Sequence, residues 1–179
     1  MADSALAVPK GFLAAACSSG IKKSGKLDMA LIFTEQPAEC ASVFTTNKVV
    51  AAPVRLTESR VRHGLCQAIL VNSGNANACT GEKGLQDAKY CGDLVADALD
   101  VAPEFVAVAS TGVIGVPLPI YCFDEHVATL CRMLSNDQFD GVARAMMTTD
   151  AFPKMSSRTL KLGGAEINIL GLAKGAGMI

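Results

Sequence analysis

Apolar residues along this chain fall into short continuous runs that polar, glycine- or proline-containing turns separate. Such runs are typical of strands that are buried on both faces. They predict β-strands at residues 27–33, 41–45, 52–56, 67–72 and 105–109.

Residues 82–99 show a different spacing, because apolar side chains return every three or four positions. This period predicts an amphipathic helix. Its apolar face contains Leu85, Ala88, Cys91, Leu94, Val95 and Leu99. Further helices are predicted at 57–60, capped by Thr57, at 124–134, capped by Asp124, and at 137–147.

Near the end of the chain, Gly163-Gly164 separates two strand-like segments, 156–162 and 166–170, which predicts a β-hairpin. Together with the alternating strands and helices, this indicates an α/β protein with mixed sheets and helices on their faces. No linker or internal repeat is visible, so residues 1–179 are expected to form a single domain.

Composition narrows the function classes. Half of the residues are hydrophobic, 18% are charged and the net charge is -1, which argues against a nucleic-acid or membrane-surface partner and suggests a subunit interface. The uncharged run 105–123 contains glycines and prolines that disfavour a transmembrane helix. Seven cysteines without a Cys-x-x-Cys pair predict reduced thiols, no metal site and a cytoplasmic protein.

Residues 20–26 have the spacing of a phosphate-binding P-loop. However, Leu27 occupies the position where magnesium chemistry needs Ser or Thr, and a strand is predicted where the phosphate site needs a helix. The segment is therefore interpreted as a basic surface turn.

Two polar loops that follow predicted strands are candidates for a site. Residues 72–77 either form a tight turn or line a site at the strand end. In residues 110–115, Thr111 offers a hydroxyl and Gly112 an unobstructed N–H, donors that suit an oxyanion. The alternative for this second loop is a turn whose hydroxyls bond their own backbone.

Two further polar positions lie in the last third of the chain. Thr148, Thr149 and Asp150 end a predicted helix, where they form either a turn or a polar pocket wall. Lys174 lies among small apolar residues, and such a lysine either extends to solvent or is held for an anionic substrate.

Taken together, these segments resemble one family, the ornithine acetyltransferases of arginine biosynthesis, also called glutamate N-acetyltransferases. The matching segments occur in family order and span nearly the whole chain. They are residues 9–12, 19–22, 43–47, 51–54, 71–81, 110–115, 147–150 and 174–178.

The resemblance implies a self-processing ornithine acetyltransferase/aminopeptidase-type fold. It also implies that this chain is the α fragment of a precursor that cuts itself before a threonine, ending shortly before the cut. The threonine becomes the first residue and the nucleophile of a β chain, and the two fragments form an α2β2 heterotetramer. Acetyl then passes from N-acetylornithine to glutamate through an acetyl-threonine intermediate.

By the same resemblance, Thr111 and the Gly112 N–H form the oxyanion hole and Thr148 and Lys174 contact substrate. Thr149 and Asp150 are weaker candidates as pocket supports. No bound cofactor or metal is implied, although acetyl-CoA is a candidate co-substrate. The alternatives are a related self-processing aminopeptidase with an N-terminal nucleophile and a scaffold subunit without chemistry of its own.

Overall fold

The computed structural model describes residues 6–176, which form six strands and four α-helices. The strands are β1 (Phe12–Cys17), β2 (Met29–Glu39), β3 (Leu65–Asn75), β4 (Val106–Val113), β5 (Lys154–Leu162) and β6 (Ala165–Ala173). The helices are α1 (Ala52–Arg60), α2 (Gly81–Leu99), α3 (Ile120–Arg132) and α4 (Phe139–Ala145). Short 3-10 helices occupy Val61–His63 and Pro103–Phe105.

The first four strands form one mixed sheet in the order β1-β2-β3-β4. The β1–β2 and β2–β3 pairs are antiparallel, whereas β3 and β4 are parallel and α2 connects them. This confirms the predicted mixed pairing. Because β3 and β4 run in the same direction, the polar residues at their carboxyl ends meet at the same end of the sheet.

Helices cover both faces of this sheet, as predicted. On one face, Ala15, Met29 and Leu31 pack in a cluster with buried residues of α1, α2 and α3, including Phe123 and Leu130. On the other face, Ala14, Ala16 and Ala30 pack against Phe139 and Val142 of α4. Successive residues of β1 therefore contact opposite layers, as the strand period requires.

Three predictions for the first half of the chain are wrong. Residues 41–45 have no regular structure. Residues 52–56, predicted to be a strand, begin helix α1, in which a proline occupies the first turn, a position that proline favours. Thr57 consequently lies inside that helix and is no cap, while the alanine-rich strand β1 was not predicted.

The predictions for the second half agree better with the structure. Strand β3, helix α2, strand β4 and the β5–β6 hairpin lie where they were expected. Helix α3 begins at Ile120, so Asp124 lies within it and does not cap it. Gly163 and Gly164 both have positive φ, 58° and 84°, as a two-residue hairpin turn of this kind needs. The described residues contain no helix that is long and apolar enough to cross a membrane.

The hairpin is only partly buried. Met155, Leu170 and Leu172 pack against the cluster around α4, but four large apolar side chains are exposed: Leu160, Leu162, Ile167 and Ile169. A two-stranded hairpin is marginal in water by itself. An apolar surface of this kind is typical of a face that another polypeptide covers.

Strand β4 is the edge of the sheet, and Thr57 of α1 covers part of it. The Thr57 hydroxyl donates to the carbonyl oxygen of Val108 at 2.7 Å and accepts from the Val108 N–H at 2.9 Å. One side chain thus satisfies two backbone groups that have no partner strand.

Replacing Thr57 with Val, which keeps the shape but removes the hydroxyl, should lower the free energy of unfolding by about 1–3 kcal/mol, because two buried backbone groups lose their partner. Urea denaturation measures this loss. Thr57→Ser is the matched control, since it keeps the hydroxyl and should lose clearly less. Equal losses for Val and Ser would contradict the assigned role of the hydroxyl.

Candidate functional site

Thr111 and Gly112 lie at the carboxyl end of β4, opposite Ser73 and Gly74 of β3, where the strand register shifts. Gly112 has a φ of 139°, and a Cβ at this position would lie 2.4 Å from the Gly74 carbonyl carbon. Only glycine fits such a close approach of two backbones. The two predicted oxyanion donors are thus held in a fixed corner of the sheet edge.

Asn72 and Asn75, at the end of strand β3, support this corner from inside. The Asn72 amide nitrogen donates to the Asn75 carbonyl oxygen at 2.9 Å, and its amide oxygen accepts from the Ser110 hydroxyl at 2.6 Å. The Asn75 amide nitrogen donates to the carbonyl oxygens of Val116 and Pro117. Residues 72–75 continue strand β3 and do not form the tight turn that was one of the two alternatives. Their side chains hold the neighbouring strand end in position.

The Thr111 hydroxyl is available to bind a ligand, whereas the amide groups of Asn72 and Asn75 are already hydrogen-bonded. Thr111 is half-buried, and within residues 6–176 its hydroxyl makes no hydrogen bond, whereas the Ser110 hydroxyl is bonded to Asn72. The Ser110 hydroxyl thus has a structural role within the protein, whereas the Thr111 hydroxyl has no such partner among these residues. Its role as an oxyanion donor stays a prediction.

Asp150 organises the segment after α4. Its carboxylate accepts hydrogen bonds from the Lys154 ammonium at 2.8 Å, the Thr148 N–H at 3.1 Å and the Gly175 N–H at 2.8 Å. These donors, the Lys154 ammonium first, hold the pKa of Asp150 well below its usual value. The carboxylate therefore supports the backbone on both sides and has little capacity left for a ligand.

The bond to Gly175 also fixes the position of Lys174, which precedes it. The Lys174 side chain is exposed, and Thr149 is exposed while Thr148 is half-buried. Residues 177–179, which include the end of the 174–178 motif, lie outside the described residues.

The turn between β1 and β2 contributes more to the site than the sequence indicated. A strand and not a helix follows it, which confirms that it is no P-loop. However, Asp28 at its end is fully buried, and its carboxylate accepts from the Ser19 N–H at 2.6 Å, the Ser19 hydroxyl at 2.8 Å and the Lys22 N–H at 2.8 Å.

Lys22 connects this turn to the end of α4 and to Gly74 at the end of β3. Its ammonium donates to the carbonyl oxygens of Leu27 at 2.9 Å and Ala145 at 3.4 Å. Its Cγ lies 3.1 Å from where a Cβ on Gly74 would be. The Ser73 hydroxyl also donates to the Ala145 carbonyl oxygen, so the end of α4 is tied to the corner that contains Thr111 and Gly112.

The β1–β2 turn and residues 144–150 line a pocket of about 460 Å³, a size that suits an amino acid or a similar small molecule. Its lining includes Lys22, Lys26, Arg144, Thr148 and Asp150. The sequence identified Thr148 and Asp150, but Lys22 and Lys26 were interpreted as part of a surface turn. The signal that was missed is the buried Asp28, whose hydrogen bonds fold the turn inward.

The cysteines of this chain provide neither a reactive thiolate at Cys17 or Cys131 nor, within residues 6–176, a metal site. All seven cysteines are free thiols, and burial raises the pKa of Cys17 and Cys131 to about 11, so both are protonated at neutral pH. No cluster of three His, Cys, Asp or Glu side chains that would suit a metal occurs within residues 6–176.

Because its pKa is lowered on folding, the Asp150 carboxylate should stabilise the folded state above about pH 4, where it is ionised also in the unfolded chain. That contribution is lost as the pH falls below this value towards the folded-state pKa. Asp150→Asn should therefore lower the free energy of unfolding at neutral pH, and the difference from the wild type should shrink in acid.

Urea denaturation at a series of pH values measures this difference. Asp97→Asn is the matched control, because Asp97 is exposed and its side chain makes no hydrogen bond within residues 6–176. A wild-type-to-Asp150→Asn difference that does not vary with pH would contradict the prediction.

Comparison with known proteins places this geometry in a family. The family model of the ArgJ family matches residues 13–179. The arginine biosynthesis bifunctional protein ArgJ of Syntrophotalea carbinolica is 56% identical over 94% of this chain and 43% of its own length. The ArgJ protein of Geobacter sulfurreducens is 50% identical over 95% of this chain and 43% of its own length. The chain thus spans less than half the length of these curated relatives.

Solved structures have the same fold. The ornithine acetyltransferase of Mycobacterium tuberculosis, crystallised in complex with ornithine, has a TM-score of 0.90 and 39% identity over all of this chain and 95% of that chain. The argJ protein of Bacillus halodurans has a TM-score of 0.90 and 35% identity over 98% of this chain and 92% of that one. The chain therefore belongs to the ArgJ family.

Proposed function

We propose that this chain is the α part of a glutamate N-acetyltransferase that transfers acetyl from N-acetylornithine to glutamate in arginine biosynthesis. The observation that carries the proposal is the corner formed by Thr111 and Gly112. Hydrogen bonds from Lys22 and Ser73 to the Ala145 carbonyl oxygen connect this corner to a pocket lined by Thr148. A protein of the same fold, with a TM-score of 0.90, binds ornithine.

A second polypeptide is part of the proposal. The curated relatives are matched over 43% of their length, whereas the solved chains are matched over 92% and 95%. This contrast supports a precursor that is divided into two chains. The exposed apolar side chains of the hairpin and of Val113, Ile114 and Val116 beside the oxyanion corner supply surface for a β chain in an α2β2 assembly.

In the proposed reaction, the β-chain threonine hydroxyl attacks the acetyl carbonyl carbon of N-acetylornithine, and its own α-amine accepts the hydroxyl proton. The carbonyl oxygen becomes an oxyanion that the Thr111 hydroxyl and the Gly112 N–H stabilise. Collapse of the tetrahedral intermediate breaks the C–N bond and releases ornithine, which takes up a proton. The glutamate amine then attacks the acetyl-threonine ester, which yields N-acetylglutamate and regenerates the threonine.

The proposal is tested by the polypeptides present and by the reaction that they catalyse. Intact-mass measurement of the purified full-length protein should find a second chain that begins with threonine, and N-acetylglutamate should form from N-acetylornithine and glutamate. Separate assays with acetyl-CoA determine whether it is also a donor. Peptide hydrolysis without acetyl transfer would favour the aminopeptidase, and a single unprocessed, inactive chain would favour the scaffold.

Thr111→Ala should lower both the rate of precursor cleavage and the kcat of acetyl transfer, because both reactions pass through a tetrahedral oxyanion. Removal of one such donor typically costs about 100- to 1000-fold in kcat. Gel analysis of processing and a steady-state acetyl-transfer assay measure the two effects. Thr129→Ala, which removes an exposed hydroxyl on α3, is the control. Normal rates for both reactions in Thr111→Ala would exclude the oxyanion role.

Lys174→Ala should raise the KM for N-acetylornithine or lower kcat, because a cation that contacts the substrate is removed. Steady-state kinetics of the assembled enzyme measure both constants. Lys89→Ala, on the exposed side of helix α2, is the matched control and should behave as the wild type does. Unchanged kinetics in Lys174→Ala would leave this lysine without a role in substrate binding.

A further inference from the structure

The pocket beside Thr148 has an excess of positive charge. Lys22, Lys26 and Arg144 line it, and Asp150 is the carboxylate in its lining. Asp150 is already engaged by Lys154, Thr148 and Gly175. Its single negative charge is shared with Lys154 and does not balance the three cations of the lining by itself.

The carboxylates behind the lining do not neutralise these cations fully either. Asp28 is buried and accepts three hydrogen bonds from the turn itself. Asp140 accepts from the Nε of Arg144 at 2.6 Å, which leaves the outer guanidinium nitrogens for another acceptor. The Lys26 ammonium makes no hydrogen bond within residues 6–176.

Lys22 and Lys26 also lie close enough to repel each other. Burial lowers the pKa of Lys22; the nearby charge of Lys26 adds to this shift, while Asp28 and Asp150 oppose it. The Lys22 ammonium cannot move away, because the carbonyl oxygens of Leu27 and Ala145 hold it. An anion bound in the pocket would relieve this repulsion.

The proposed reaction limits which anion this is, and the inference rests on that proposed function. N-acetylornithine carries one carboxylate, at its α-carbon, and a terminal ammonium that a basic wall would repel. Glutamate carries an α- and a γ-carboxylate. The anionic group that both substrates share is therefore the α-carboxylate.

We propose that the pocket formed by Lys22, Lys26 and Arg144 beside Thr148 binds the α-carboxylate of both the acetyl donor and the acetyl acceptor. These basic side chains then fix the end of each substrate that is common to the two half-reactions. The side chains that differ between the substrates extend to another part of the assembled enzyme.

The test compares acids with amides in the assembled, full-length enzyme. In the wild type, exchange of the α-carboxylate of N-acetylornithine for a carboxamide should lower kcat/KM by about tenfold or more, as expected for the loss of a charge-assisted hydrogen bond. In a Lys26→Gln/Arg144→Gln variant, this acid-to-amide ratio should fall towards one. Lys22 is left intact because it also holds two backbone carbonyl groups.

Lys23→Gln is the matched control, because this exposed lysine of the same turn is not part of the pocket lining, and its ratio should equal that of the wild type. Glutamine and glutamate as acceptors provide a second control, since their γ-group ratio should be the same in all proteins. The proposal is overturned if the Lys26→Gln/Arg144→Gln variant keeps the wild-type α-group ratio. It is equally overturned if the γ-group ratio falls instead, or if Lys174→Gln alone abolishes the α-group preference.

Calorimetric titration with glutamate and its α-amide, neither of which carries an acetyl group, makes the test independent of turnover. The pocket variant should bind the acid several-fold more weakly than the wild type does and the amide about equally well. An inactive wild type that still shows this binding pattern would refute the proposed function and support the pocket. An active wild type whose binding does not differ from that of the variant would refute the pocket alone.

Discussion

A buried carboxylate sets the geometry on which the rest of the candidate site depends. Asp28 is fully buried, and a carboxyl group in such a position is tolerated only if hydrogen-bond partners surround it. The donors come from Ser19 and Lys22, so the turn can adopt only conformations that aim these groups inward. The Asp28 carbonyl oxygen also accepts from the Ser73 N–H at 2.8 Å, which joins the turn to the carboxyl end of strand β3.

The candidate site is therefore assembled from segments that are far apart in the sequence. The β1–β2 turn supplies Lys22, the parallel β3–β4 pair supplies the Gly74–Gly112 corner, and the end of α4 supplies the carbonyl oxygen of Ala145. The Lys22 ammonium and the Ser73 hydroxyl both donate to the Ala145 carbonyl oxygen, and the Ser73 N–H donates to the Asp28 carbonyl oxygen. These hydrogen bonds join the three segments directly.

The sequence predicted those parts of the fold whose local signals agree with the tertiary packing. The apolar run of β3, the periodic face of α2 and the diglycine hairpin were all identified correctly. The strand prediction for 52–56 failed because a few β-prone side chains outweighed Pro53, which favours the first turn of a helix. The tertiary contacts of Lys22 could not be predicted from a local sequence pattern, because they depend on the burial of Asp28 and on a helix end 123 residues away.

The Thr57–Val108 contact protects the exposed edge strand β4 against pairing with other molecules. A free edge strand is a template on which another molecule can add a strand of its own. At Val108 the outward N–H and C=O are already occupied by one hydroxyl, and helix α1 lies across the edge. Polymerisation through this edge is thereby obstructed from within the same molecule, and Arg60 of the same helix adds to this by donating to the Val106 carbonyl oxygen at 3.0 Å.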